Sequence, residues 1–299
     1  MTPSLYSLRA LLLICGLGIL NTDATLAQTQ PIRTLAITMA LGFDSANTQS
    51  ETLVAIKQTI TQHRRIYFTR ELTRQPAQTP GIEHYVSTPT TGASQPLLIS
   101  LTLLYPTPNT PPELTVQRFR DHLRSDDMIL YFGHSRNGDG FPEFAASSAT
   151  TGKHFINDPI RGWLGFDQVN FNRSKYQILG LIGFHTRQYF YEPLRQLVWE
   201  KPPNSLGLLL TNDYAYFDDF SGYVEAILNA LLESNTDQLS RYLDARSSTL
   251  QATSDRPVRQ QFHFEHFDLR RLGTHLNRNE QANTPQRVYA REPYRDIPF

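Results

Sequence analysis

Between residue 33 and about residue 232 the chain alternates short apolar runs with amphipathic stretches. Arg33 to Leu41 is apolar and β-branched and predicts a first strand. Thr48 to His63 carries Leu53, Ile56 and Ile60 three and four residues apart, the spacing of one helix face. Strands are expected at 82–87 and 97–105. Pro106 to Pro112 holds four prolines in seven residues and reads as a loop, so the next helix is expected to open at Thr115. Its apolar face would be Val116, Phe119 and Leu123. Met128 to Phe132 is an uninterrupted apolar run that stops at Gly133-His134.

The same alternation continues in the second half. Ser135 to Lys153 is polar and rich in Gly, Ser and Thr, as a surface loop would be. Tyr176–Gly183 and Leu206–Thr211 predict strands, and Thr186–Trp199 and Asp218–Leu232 predict helices. Apolar strands alternating with helices predict an α/β fold, with a mainly parallel sheet flanked by helices on both faces as a three-layer sandwich. One domain is expected over residues 28–250. Residues 251–299 are expected to be a C-terminal extension, partly loose, with Gln261–Phe267 as an edge strand.

Charge and composition narrow the function. Lys and Arg number 28 and Asp and Glu 28, so the formal net charge is zero, which argues against a nucleic-acid partner. At the N-terminus, Arg9 precedes an apolar run from Ala10 to Leu20, and Thr25-Leu26-Ala27 supplies small residues. This pattern predicts a signal peptide cut after Ala27 and an exported protein, periplasmic or secreted. The run is shorter than the roughly 20 residues a bilayer span needs, so no membrane span is expected after cleavage. Ile14 before Cys15 argues against lipid attachment at that cysteine. Cys15 is the single cysteine of the chain, so the expected mature protein has no thiol nucleophile, no disulfide and no Cys-ligated metal.

Ligands of parallel sheets bind where loops leave the carboxyl ends of strands. Two such ends carry chemistry: Phe132-Gly133-His134-Ser135-Arg136-Asn137-Gly138 and Ile182-Gly183-Phe184-His185-Thr186-Arg187-Gln188-Tyr189-Phe190. The pair resembles the caspase-hemoglobinase fold (clan CD, caspase-, legumain- and gingipain-like), and more closely a bacterial exported branch of it. There an apolar strand ends in Gly-His-Ser/Ala-x-x-Gly. About fifty residues later a second ends in Gly-Cys-x-Thr/Ser-x-x-Tyr-Phe. The resemblance covers roughly Leu35 to Leu232, and Leu208–Asn212 with Tyr216-Phe217 matches the strand that follows. It implies that His134 holds the catalytic histidine position and residue 184 the nucleophile position.

Residue 184 is Phe, which has no lone pair to attack a carbonyl, so the Cys–His mechanism cannot run. The resemblance thus implies a pseudo-peptidase that binds a peptide or protein partner. Gly133, Ser135, Arg136, Gly183, His185, Thr186, Asn212 and Asp213 are the expected cleft residues. No cofactor and no metal are expected.

Two alternatives stay open: a hydrolase using Thr186 or a water activated by His134, and a structural envelope protein. Ser135–Gly140 has a calcium-loop outline, but Ser135 and Ala146 stand where the first and last carboxylates belong. His263 and Glu265 share one strand face and Phe262 and Phe264 the other, which reads as ordinary amphipathic alternation. Asp213, Asp218 and Asp219 follow a strand end and are expected near the cleft. Gly42-Phe43-Asp44-Ser45 is expected at the same rim, without the glycine spacing of a dinucleotide site.

Overall fold

Uniformly apolar runs of five or six residues become the centre of one eight-stranded sheet, ordered β2-β3-β4-β1-β5-β6-β7-β8. The strands are β1 (Arg33–Leu41), β2 (Leu72–Arg74), β3 (Ile82–Ser87), β4 (Leu97–Leu104), β5 (Met128–Phe132), β6 (Gln177–Ile182), β7 (Leu206–Thr211) and β8 (Phe262–Glu265). The computed structural model describes residues 33–42, 46–62, 72–76, 79–87, 97–135, 171–197, 202, 204–233, 236–247 and 260–276. From β4 through β7 all neighbours are parallel, while β2, β3 and β8 run antiparallel at the margins. Every residue of β5, β6 and β7 is buried, as expected for strands covered on both faces.

The helices are α1 (Ala46–Gln62), α2 (Pro112–Ser125), α3 (Thr186–Leu197), α4 (Phe220–Glu233) and α5 (Thr236–Asp244). Two cores result, one on each side of the sheet. Ile56 and Ile60 of α1, Val224, Ile227 and Leu231 of α4, and Leu239 and Leu243 of α5 pack on Ile37, Met39, Leu130, Ile178 and Leu209. Val116, Phe119 and Leu123 of α2 and Phe190 and Leu194 of α3 cover Ile129, Leu179, Leu181 and Leu208 on the other side. The chain is therefore an α/β protein with three layers. Among the described residues no helix is long and apolar enough to cross a membrane.

Some boundaries differ from the sequence expectation. Helix α2 opens at Pro112, a turn before Thr115, because proline fits the first helical position, where its missing N–H leaves no bond unmade. A 3-10 turn, Phe217–Asp219, precedes α4. The edge strand expected in 261–267 is β8, and Leu272 and Leu276 beyond it join the core. Residues 260–276 thus belong to the same sheet and core as the residues before 250. The expected signal peptide and the tail from Asn277 lie outside the described residues.

The amino ends of the parallel strands are held by polar side chains. Asp126, buried, accepts from Thr38 Oγ1 at 2.6 Å and pairs with His122 at 3.0 Å. Asp127 accepts from the Ala36 amide and from Lys175 Nζ, each at 2.8 Å. Gln177 Nε2 donates to the carbonyls of Leu123 and Asp126. At the sheet's far side, buried Glu83 gathers Lys57 at 2.7 Å, Arg74 at 3.0 Å and the hydroxyls of Tyr85 and Tyr105.

Candidate functional site

Strands β5 and β6 pair in parallel with Phe132 opposite Ile182. Two residues beyond that pair, on each strand, stand His134 and Phe184. Their ring centroids lie 5.3 Å apart in an edge-to-face contact. The register carries the two sequence motifs to one place although fifty residues separate them. The Gly133 amide continues the ladder to the Ile182 carbonyl at 3.0 Å. Gly183 sits so close to Gly133 that a Cβ there would run into the Gly133 carbonyl oxygen. The Ser135 hydroxyl, fully buried, donates to the Phe184 carbonyl and ties the histidine loop to the neighbouring strand end.

The His134 ring also meets Phe217 at 5.1 Å, so it stands between two phenyl rings. Phe184 in turn touches Tyr214 at 5.0 Å, and Tyr214 lies parallel to Tyr216 at 6.5 Å. Edge-to-face and offset contacts of this kind suit aromatic quadrupoles. The rings grade from half-buried Phe184 outward to Tyr214 and Tyr216, 44% and 47% exposed. These tyrosines and Phe217 were not among the expected cleft residues. Their signal was the alternation of Tyr214 and Tyr216 after a strand end, which puts both rings on one side of an extended segment.

His185 occupies the left-handed region at φ 47°, which costs an L-residue on the order of 1 kcal/mol. Its amide donates to the Asp213 carbonyl at 3.2 Å, and its Nδ1 lies 3.1 Å from the Asn212 carbonyl oxygen. That contact places a proton on Nδ1, and Nε2 lies 4.0 Å from Asp213 Oδ1. Backbone strain of this sort is held where surrounding bonds over-determine the geometry. Asn212 is occupied structurally: its side chain donates to the Gln260 carbonyl and accepts from Arg187.

Thr186 is fully buried. Its hydroxyl donates to the Leu181 carbonyl at 2.6 Å and accepts from the Thr211 amide at 2.8 Å. The Thr211 hydroxyl donates to the Gly183 carbonyl at 2.7 Å. These bonds fasten the start of α3 to the ends of β6 and β7.

Arg136, the Ser135–Ala146 loop beyond Ser135, and Asp44 and Ser45 lie outside the described residues. Asp218 is exposed, whereas Asp219 is buried and accepts from the Tyr223 hydroxyl at 3.2 Å. Glu265 lies 3.6 Å from both His263 and His266. Burial, aided by the Arg187 charge, holds His263 below the usual imidazole range against the opposing pull of Glu265. Its ring packs edge-on against Tyr191 at 5.1 Å. Among the described residues no three His, Cys, Asp or Glu side chains are grouped to hold a metal. No protein-family model and no curated protein sequence matches the chain.

Proposed function

We propose that the chain is an exported, catalytically inactive protein of the caspase-like fold, whose cleft at the carboxyl ends of β5, β6 and β7 binds a peptide or protein partner. The observation that carries this reading is the in-register placement of His134 beside Phe184. A histidine stands where a general base would act, against a side chain with no atom able to attack. The strand order supports it, with β1 between β4 and β5, β6 next to β5 and β8 antiparallel at the margin. The Thr186 hydroxyl is buried and engaged with Leu181 and Thr211, which counts against its use as an alternative nucleophile.

Exposed Tyr214 and Tyr216 give the cleft a contact surface. Tyrosine offers large rigid area at low entropic cost and is enriched where proteins meet partners. A second reading, hydrolysis by an activated water, draws on His185, whose Nδ1 is held by the Asn212 carbonyl and whose Nε2 lies 4.0 Å from Asp213 Oδ1.

One experiment separates the two. The purified protein and a His134→Ala, His185→Ala double variant are incubated with a diverse peptide library and followed by mass spectrometry. Binding without cleavage is the expected result: particular peptides are retained intact. Cleavage by the parent protein that disappears in the double variant would replace the pseudo-peptidase reading with a hydrolase. Neither retention nor cleavage, in protein shown to be folded, would leave a structural role.

A further inference from the structure

Strand β8 reaches the cleft through its entry residues and α3 reaches it through Arg187, and one imidazole stands where the two meet. The Asn212 amide donates to the Gln261 carbonyl and the Asn212 side chain to the Gln260 carbonyl, each at 2.8 Å. Arg187 Nη1, from the first turn of α3, donates to Asn212 Oδ1 at 3.2 Å. The same guanidinium lies over the Tyr191 ring, 6.0 Å from its centroid, and His263 of β8 packs edge-on against that ring at 5.1 Å. His263, Tyr191 and Arg187 therefore form one series of contacts, which Arg187 continues to the segment carrying Tyr214 and Tyr216.

His263 Nε2 is sealed from solvent and meets no hydrogen-bond partner. Glu265 Oε2 is 3.6 Å away, beyond hydrogen-bond reach, and the other oxygen of that carboxylate lies 3.6 Å from His266 Nε2. The groups that face the His263 ring are Arg187 and Tyr191 from α3 and Glu265 from its own strand, while its β7 neighbour is apolar Leu210. This setting accepts a neutral ring and penalises a charged one, because burial and the Arg187 cation both oppose the proton and outweigh Glu265. Arg187 is exposed and can turn into water, whereas Phe262, next to His263, is fully buried and fixes the strand.

We propose that His263 is an acid-sensing latch on the cleft, whose protonation drives Arg187 off Asn212 and loosens the segment from Asn212 to Phe217. Above the ordinary imidazole value of about 6.5 the ring is neutral and the latch is closed. As pH falls through the lower value that the folded protein imposes, the new charge faces Arg187 across Tyr191. Arg187 then turns outward, Asn212 Oδ1 loses its donor, and the tie between α3 and the loop after β7 opens. The consequence for recognition rests on the reading above, in which Tyr214 and Tyr216 form the contact surface: acid weakens partner binding.

Hydrogen exchange of the full-length protein without any partner tests the latch. The Asn212 and Tyr214 amides are bonded, to the Gln261 carbonyl at 2.8 Å and to Asp213 Oδ1 at 2.7 Å, so loosening registers as lost protection. Protection factors, which remove the direct effect of pH on intrinsic exchange, are compared between about pH 7.5 and about pH 5. Protection over 212–217 should fall at least threefold in the parent protein. The fall should vanish in His263→Gln and move to lower pH in Glu265→Gln, which removes the charge that favours the proton. Arg187→Met, at an exposed position, should show the low protection at both pH values, because its latch is already open. Constant protection in the parent overturns the proposal. So does a fall that survives His263→Gln, which would assign the response to His185 beside Tyr214. Because no partner is present, neither outcome bears on the peptide-binding reading, and a failure of peptide retention leaves the latch standing.

Discussion

At the amino ends of the parallel strands, Asp126, Asp127, Lys175 and Gln177 are buried or nearly so and bonded to backbone and to one another across β1, β5 and β6. At the carboxyl ends of the same strands the side chains are aromatic, meet edge-on and run outward to exposed tyrosines. At the first end these four side chains bond to the fold itself. The other presents exposed tyrosines and a strained His185 beside the Asp213 carboxylate. The contrast teaches that polar cohesion gathers at one end and exposed aromatic surface at the other, so substitutions at each should move different observables.

Asp127→Ala gives the largest expected effect. It strips the Ala36 amide of its acceptor and leaves Lys175, 13% exposed, without its carboxylate. Breaking a buried pair from one side costs about 3–5 kcal/mol, so chemical denaturation should show a loss of that order. The comparison breaks if Asp127→Ala costs less than Tyr214→Ala.

Acid should act on the polar nodes next. Burial pushes the Asp126 carboxyl up, but bonds from His122, Ser125 and Thr38 outweigh it and hold the group below its ordinary value. Glu83 behaves alike, with burial outweighed by Lys57, Tyr85 and Tyr105. A carboxylate depressed in the folded state contributes stability that is present above its unfolded pKa, about 4, and lost as pH falls through the folded value. Unfolding midpoints should therefore drop below about pH 4, and the drop should shrink in Glu83→Gln. An acid limb unchanged by that substitution would remove Glu83 from the explanation.

Smallest in stability, and largest in binding, are changes at the cleft. Tyr214→Ala and Tyr216→Ala remove exposed rings and should shift stability by less than about 1 kcal/mol. Retention of any bound peptide should fall at least tenfold in both. Equal loss of stability and binding would mean that the tyrosines serve the fold.

The layer order and the central strands were legible because β5, β6 and β7 are apolar at nearly every position, which only burial on both faces accommodates. Strand β2 was not, since Leu72–Arg74 is three residues with a single apolar side chain. Helix α5 escaped for a similar reason: Leu239 and Leu243 are its buried core residues, with Tyr242 packed beside them among polar neighbours. At the site, the strand-end motifs gave His134 and residue 184, and their contact follows from the β5–β6 register. The aromatic sequence Phe184–Tyr214–Tyr216 was hidden, because it depends on how the loop after β7 folds back over β6. Thr186 stood out in the sequence as a hydroxyl two residues past Phe184, and only the bonds to Leu181 and Thr211 reveal its structural use.

The most direct measurement is the reactivity of a thiol placed at residue 184. In a Cys15→Ser background, Phe184→Cys carries a single cysteine, and its alkylation rate is read against pH with and without His134→Ala. If His134 holds the base position opposite a vacated nucleophile, the thiol should react at neutral pH at least tenfold faster with His134 than without it, because a neighbouring imidazolium favours the thiolate. Equal rates in the two backgrounds, both following an ordinary cysteine titration, would contradict the degenerate-dyad reading.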